Sequence, residues 1–334
     1  MTSFRRRLLC ALALVAALVS TPSHGVDTAR DDVRRFIDGV VARHGMDRAW
    51  VTGLMAAAKT QQQVIDLMQR PAERVKPWYQ YRDHFLTEQR IAEGTDFWAT
   101  HRERLAGAER DSGVSAHVIV GIIGVETFYG RITGRFRVLD ALATLAFDYP
   151  PRSTYFTGEL EQFLLLAREQ AVDPLTAIGS YAGAMGAPQF MPRSYRAYAV
   201  DGDGDGRRDL WGSWDDVIAS VANYLARNGW RAGEPVAAAA ELWYPDAAGL
   251  VAGGLNPDLT VGALRDLGLG FDTPLADDAP ALLVGVRDDA GPRYLAGFRN
   301  FSAITRYNRS VLYALAVHEL GSRIEARLPP AGTQ

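Results

Sequence analysis

Residues 116–130 read Ala116-His-Val-Ile-Val-Gly-Ile-Ile-Gly-Val-Glu126-Thr-Phe-Tyr-Gly130. Val118, Ile119, Val120, Ile122, Ile123 and Val125 are distributed around the whole helical circumference. The spacing therefore predicts a helix that is apolar on every side, and so central and buried. Ser115 stands where it can cap the start. Gly121 and Gly124 cost helix stability but allow a neighbour to pack close. Glu126 is the only acid in the run. It shares a face with Ile119 and Ile123, and it lies near the helix C-terminus, where the macrodipole disfavours negative charge. Burial and dipole both push a carboxyl toward its protonated form, which makes a Glu a general acid near neutral pH. The competing reading is a Glu paired with Arg131 or Arg135, because structural pairs also perturb carboxylates. Spacing alone leaves both open.

Upstream of this stretch, residues 27–110 read as helical. Val33, Phe36, Ile37, Val40 and Val41 fall on one face, and Trp50–Ala58 and Gln61–Met68 continue the pattern, with breaks at Pro71 and Pro77. Trp78-Tyr-Gln-Tyr81 is aromatic-rich, as core or in part as a stacking platform for a sugar. Phe97–Ser112 reads as one amphipathic helix leading into the central one. Downstream come a short helix at Val138–Phe147, the run Asp148-Tyr-Pro-Pro-Arg152, and a long helix carrying Leu160, Phe163, Leu164 and Ala167. Gly179–Pro192 is rich in glycine and small residues and holds no charge. Such a loop brings backbone close to something, either a ligand or its own turn.

Asp201-Gly-Asp-Gly-Asp-Gly-Arg-Arg-Asp209 follows. Asp201, Asp203 and Asp205 occupy positions 1, 3 and 5 of a calcium loop, with Gly206 at position 6, Arg207 at the position that offers a backbone carbonyl, and Asp209 at position 9. Alternating carboxylates wrap one hard cation while the glycines supply the curvature. Position 12 is Gly212 rather than the usual Glu, which leaves Asp215, Asp216 or water to close the site. Asp215 is equally a cap for a helix over Val217–Asn228. From about Pro235 to Arg299 helical spacing fades. Ala281–Val286 and Arg293–Phe298 around Asp288-Asp-Ala-Gly291 read as a hairpin, with a short helix near Thr260–Leu267. Helical character returns over Ser310–Ala326.

The chain begins Met-Thr-Ser-Phe-Arg5-Arg-Arg7, followed by an apolar run from Leu8 to Val19 and a small-residue stretch ending at Gly25. This is the pattern of a secretory signal peptide cleaved after Gly25 or near Ser20, and it is too short to span a bilayer. The only cysteine, Cys10, precedes most of the apolar run, so no lipid anchor is expected. The mature chain then has no cysteine and no disulfide framework. Loss of Arg5, Arg6 and Arg7 leaves 33 of the 36 basic residues against 39 acidic ones, a net charge of −6. That balance argues against a nucleic-acid binder. The expectation is an exported, soluble, periplasmic protein with no transmembrane anchor.

Six ordered segments resemble the lytic murein transglycosylases of the membrane-bound B type, glycoside hydrolase family 103. They are Gly121–Gly130, Asp140–Pro150, Gly183–Pro192, the Asp-Gly repeat ending at Asp209-Leu-Trp211, Ser220–Leu225 and Thr305–Asn308. The resemblance implies a mainly α (α+β) fold. In it, residues 1–25 are the signal peptide and 26–110 a flanking helical domain. Residues 111–234 form a lysozyme-like core with an EF-hand-like calcium loop at 201–212, 235–300 a small β-containing domain, and 301–334 a helical segment returning to the core. It implies cleavage of the β-1,4 bond between N-acetylmuramic acid and N-acetylglucosamine in peptidoglycan, without water, leaving a 1,6-anhydromuramoyl end. Glu126 matches the single catalytic acid. Ser180, Gln189, Tyr224, Tyr307, Asn308, Arg152 and Tyr81 match residues lining the glycan cleft. Asp201, Asp203, Asp205, Arg207 and Asp209 take the metal role, with Ca2+ structural and no organic cofactor. Pro151 stands where the family pattern often has a second arginine, which weakens an expected contact to a peptide or lactyl carboxylate. The implied partners are peptidoglycan glycan strands, with other cell-wall enzymes as a further class.

Three rivals remain at this level. A hydrolytic lysozyme-like muramidase or glucosaminidase needs a second carboxylate or a positioned water, and Asp140 and Asp148 are the candidates. An inactive peptidoglycan-binding scaffold has no use for a buried acid. A calcium-regulated module is poorly supported by one unpaired loop.

Overall fold

The computed structural model describes residues 25–70, 76–243 and 254–329. The expected signal peptide lies outside the described residues up to position 24, as does the chain end from 330. The chain is placed from Gly25, which bridges Lys59 in antiparallel fashion, while Val26 donates to the Ala58 carbonyl at 2.8 Å.

Among the described residues six helices precede the predicted central one: α1 (Asp31–His44), α2 (Arg48–Ala57), α3 (Gln62–Gln69), α4 (Trp78–Phe85), α5 (Glu88–Thr100) and α6 (Arg102–Ser112). The single helix expected over Phe97–Ser112 is instead interrupted at His101, whose φ of −111° and ψ of 23° leave the helical region. The central helix α7 spans Ala116–Thr127, and Val118 to Val125 are all buried. Ser115 sits at its N-cap but makes no side-chain cap bond. Its carbonyl accepts from Val118 and Ile119 instead.

Then follow β1 (Phe136–Arg137), α8 (Val138–Phe147), α9 (Ser153–Gln170), β2 (Ile178–Gly179), α10 (Pro192–Tyr198) and α11 (Trp214–Arg227). A short 3-10 turn at Pro150–Arg152 leads into α9. The cap of α11 is Ser213, whose side chain accepts from the Asp216 amide, so Asp215 lies within the first turn rather than capping it.

The region of fading helical spacing is an antiparallel sheet of β3 (Ala237–Leu242), β4 (Leu259–Thr260), β5 (Leu269–Gly270), β6 (Pro280–Asp288) and β7 (Gly291–Phe298), with α12 (Val261–Asp266) packed on it. Its order is β4-β6-β7-β3-β5. The predicted hairpin is β6–β7, turning at Asp288–Gly291. Alternation along β6 divides its residues between two cores. Ala281 and Leu283 join Val261, Leu264, Ala296 and Phe298 in a small core, whereas Leu282 and Val284 join the large one. At the hairpin tip Asp288 and Asp289 pair with Arg82 of α4, each at 2.7 Å.

The chain closes with α13 (Arg299–Tyr307) and α14 (Val311–Glu325). Helix α14 lies directly on α7. A Cβ at Gly121 would stand 2.3 Å from the Val317 carbonyl oxygen, and one at Gly321 would stand 2.0 Å from that of His117. One glycine from each helix thus lets the two backbones touch, as Gly121 led one to expect. The mainly α, α+β expectation holds. Among the described residues no helix is long and apolar enough to cross a membrane.

Candidate active site

Glu126 ends the buried helix, and the backbone turns sharply just after it. Phe128, Tyr129 and Gly130 have φ of 51°, 57° and 83°, three successive residues in the left-handed region. Two non-glycine residues held there imply surroundings that over-determine the turn. Those surroundings are visible. The Tyr129 hydroxyl donates to the Arg90 carbonyl at 2.9 Å. The buried Arg90 guanidinium donates to the Gly124 carbonyl and lies 4.5 Å from the Phe128 ring centroid. Thr127 accepts from the Gly130 amide and donates to the Ala187 carbonyl at 2.8 Å, which fastens the helix end to the glycine-rich loop.

Glu126 is half-buried. Burial raises its pKa from 4.5 to about 7, against the lowering effect of a hydrogen bond from Tyr313. That bond, from the Tyr313 hydroxyl to Oε1, is 2.6 Å long. Neither arginine weighed as a partner reaches it. Arg131 pairs with Glu93, and Arg135 lies over the Phe136 ring at 5.7 Å. The paired-Glu reading therefore fails, and the carboxyl is left to a phenol.

Tyr313 was not a residue the sequence singled out. It sits among Val311, Leu312, Leu315 and Val317, where an aromatic reads as core. A buried tyrosine hydroxyl needs a partner, and that was the available signal. From Tyr313 a row of rings runs outward. Tyr307 is nearly parallel to it at 6.4 Å, Tyr224 lies 4.7 Å from Tyr307, and Phe190 lies 5.6 and 5.7 Å from Tyr224 and Tyr307. The Tyr307 hydroxyl donates to the Pro188 carbonyl at 2.6 Å and that of Tyr224 to the Arg306 carbonyl at 2.7 Å. Burial, with Glu126 nearby, holds the Tyr313 and Tyr307 hydroxyls well above the ordinary phenol pKa, so both are neutral donors.

The other expected cleft residues are placed unequally. Gln189, itself at φ 51°, donates to the Thr133 and Gly186 carbonyls at 3.1 and 2.9 Å. Ser180 accepts from the Ala182 and Ala184 amides at 3.3 and 3.0 Å. Their loop is drawn together by the bridges Gly179↔Met185 and Met185↔Phe190. Asn308 is exposed at the end of α13. Tyr81 is buried between Trp78 and Phe85, and it adds to the electrostatic surroundings of Tyr313. Arg152 is exposed, lying over Tyr155 at 4.6 Å and Phe156 at 5.1 Å. No hydrogen bond or ring contact joins it to the tyrosine row among the described residues.

Asp140 and Asp148, the candidates for a second carboxylate, are engaged elsewhere. Asp140 accepts from the Lys59 amide at 2.8 Å and from Arg137, and Asp148 from Arg30 at 2.6 Å and Thr60 at 3.0 Å. They fasten the first three helices to α8.

The acidic loop gathers three of its four predicted side chains. Asp201, Asp203 and Asp205 each offer one oxygen, all within 4.8 Å of one another. Asp201 is oriented by amides of Gly204, Asp205 and Gly206 at 2.7, 3.1 and 2.8 Å. Asp209 instead turns to the amides of Trp211 and Gly212. Arg207 is exposed and donates its amide to Asp205. Neither candidate closing ligand is free. Asp215 pairs with Arg104 at 2.7 Å, and the buried Asp216 accepts from the Gly202 and Asp209 amides at 2.7 and 2.5 Å, clasping both ends of the loop. Three clustered carboxylate oxygens held by backbone donors suit a hard divalent cation.

Residues 28–322 match the family model of the transglycosylase SLT domain. The chain belongs to that family. It is 43% identical over 302 residues to the membrane-bound lytic murein transglycosylase B of Escherichia coli K12, covering 88% of this chain and 82% of that one. Among solved structures, the catenated lytic transglycosylase SltB1 from Pseudomonas aeruginosa superposes with a TM-score of 0.86 at 48% identity, over 89% of this chain and 98% of that one. The Escherichia coli lytic transglycosylase Slt35 in complex with calcium gives 0.82 at 42%, over 91% and 96%. Their architecture is the lysozyme-like one that the ordered motifs implied.

Proposed function

We propose that this transglycosylase cleaves the glycan strand of peptidoglycan with one carboxyl group, Glu126, acting first as acid and then as base. The observation that carries the reading is a half-buried glutamic acid with pKa about 7 whose one side-chain partner among the described residues is a neutral phenol. In the forward step the protonated Glu126 gives its proton to the glycosidic oxygen as the C1–O bond breaks. The substrate's own N-acetyl carbonyl supports the developing charge at C1. The ionised Glu126 then takes the proton from the C6 hydroxyl, whose oxygen attacks C1 and closes the 1,6-anhydro ring. No water is consumed and Glu126 ends protonated. The Tyr313 hydroxyl donates to the carboxylate in its ionised interval, when that bond is strongest. Ser180, Gln189, Tyr224, Tyr307 and Asn308 supply the walls along which the strand lies.

Asp201, Asp203 and Asp205, with the Arg207 carbonyl, would hold Ca2+, which would neutralise their mutual repulsion and fix the loop that leads into α11. Its role is structural. The basic and apolar N-terminus supports export to the periplasm.

The test is digestion of purified peptidoglycan followed by mass spectrometry. Products lighter than the hydrolytic ones by one water are expected from the wild type and none from Glu126→Gln. Products carrying a reducing end would establish hydrolysis instead, and continued release by Glu126→Gln would remove Glu126 from its role.

A further inference from the structure

Where α13 passes into α14, the chain forms a pocket of about 650 Å3 whose lining includes Asn256, Arg306, Arg309, Ser310, Val311 and Leu312. Its sequence position is informative. Arg306 and Arg309 bracket Tyr307 and Asn308, two of the proposed cleft residues, and Ser310 accepts from the amide of Tyr313 at 3.3 Å. The pocket is therefore built on the same short turn that delivers the phenol to Glu126.

The chemistry of the lining is mixed in a specific way. Arg306 and Arg309 are both exposed, and among the described residues neither guanidinium has a carboxylate partner. Among the described residues Arg306 donates only to the Asn256 side-chain carbonyl, at 3.1 Å. Thr305, Ser310 and Asn256 add neutral polar groups, and Leu255, Val311 and Leu312 supply an apolar wall. Two unpaired forks with an apolar flank suit an extended ligand that carries carboxylates and short aliphatic side chains.

We infer that this pocket receives the peptide stem of the peptidoglycan strand, with Arg306 and Arg309 pairing its carboxylates. The inference rests on the proposed glycan-cleaving function. It deepens that reading, because a stem branches from the same muramoyl sugar whose C1 reacts and so must leave the cleft close to Glu126.

The test compares two substrates prepared from one source: glycan strands bearing their stems, and strands stripped of stems by an amidase. The specificity constant for each is measured with the wild type, Arg309→Glu and Arg306→Ala/Arg309→Ala. The expected result is a fall of about tenfold or more in the ratio of stem-bearing to stripped turnover, seen in KM rather than kcat and larger for Arg309→Glu. An unchanged ratio overturns the inference, and so does an equal loss on both substrates, which would mark the arginines as generally structural. A wild type that cleaves neither substrate refutes the underlying function instead. As a second measurement, the free stem peptide titrated into Glu126→Gln should bind, and should bind more weakly once Arg309→Glu is added. Equal binding to both proteins also overturns the inference.

Discussion

The hydroxyl of Tyr313 and Oε1 of Glu126 lie 2.6 Å apart, donor to acceptor, across the contact between α14 and α7. This bond lowers the Glu126 pKa while burial raises it, with burial the larger effect. The acid form must begin the reaction. The rate should therefore fall as pH rises through about 7. Tyr313→Phe removes the lowering contribution, so the falling limb should move to higher pH. It should also cost roughly tenfold in rate, the loss of one hydrogen bond to a charged group. A pH–rate profile of both proteins checks this; an unmoved limb would show that the phenol does not tune the carboxyl.

The same raised pKa has a consequence for stability. Between the unfolded value near 4.5 and the folded value near 7, the folded chain binds more protons at Glu126 than the unfolded chain does. Stability contributed there is full below the lower value and is lost as pH rises through the higher one. Above pH 7 the buried carboxylate is then a cost on the order of 2 kcal/mol, allowing for its partial exposure. Glu126→Gln should abolish cleavage yet raise the unfolding free energy at pH 8 by about that amount, with little gain at pH 4. Denaturant melts at the two pH values measure it.

Gly121 and Gly321 can be tested together, because each faces a backbone carbonyl that has nowhere to go. Gly121→Ala and Gly321→Ala should each destabilise by about 1–3 kcal/mol or more. Both should also reduce activity, since α14 carries Tyr313. Gly53, whose Cβ would meet nothing within 4 Å, is the control. Gly53→Ala should be neutral or slightly stabilising.

The acidic loop predicts a metal dependence of folding. Calcium at a hundred times its dissociation constant should stabilise the chain by about 2.7 kcal/mol, and a chelator should reverse the gain. Asp203→Asn should weaken the response and Asp209→Asn should affect it less, because Asp209 is turned to the Trp211 and Gly212 amides. Equal effects from the two would contradict the three-carboxylate geometry. The buried Asp216, whose pKa is raised by burial and then by the charges of Asp203 and Asp201, should titrate lower once the cation is bound.

How much the sequence disclosed follows the range of the interactions concerned. Glu126 was legible because one acid in an apolar helix is a local anomaly. The triplet Asp201, Asp203 and Asp205 was legible because alternation with glycine is a local period. The β6–β7 hairpin announced itself through two apolar runs and a turn. The strand β3 did not, because Ala237-Ala-Ala-Ala-Glu-Leu242 carries no strand preference and is held by pairing with β7. Tyr313 was passed over for the same reason, and Asp216 was weighed only as a metal ligand, not as the clasp on the Gly202 and Asp209 amides. Each acts on a partner that only the fold brings near, and within its own segment each resembles an ordinary core or first-turn residue. Asp140 and Asp148 were ambiguous until their partners, Arg30 before α1, Lys59 and Thr60 between α2 and α3, and Arg137 in β1, became visible.

The touching backbones of α7 and α14 also place a condition on when the enzyme can exist. Glu126 and Tyr313 are separated by 187 positions along the chain, so closing this contact means closing most of the polypeptide into one loop. During synthesis an emerging chain holds its acid long before it holds the phenol or the rings behind it. A chain that stops short of residue 311 keeps Glu126 but lacks the helix that covers it. The ability to cut glycan therefore arrives only once α14 has been made and has packed on α7.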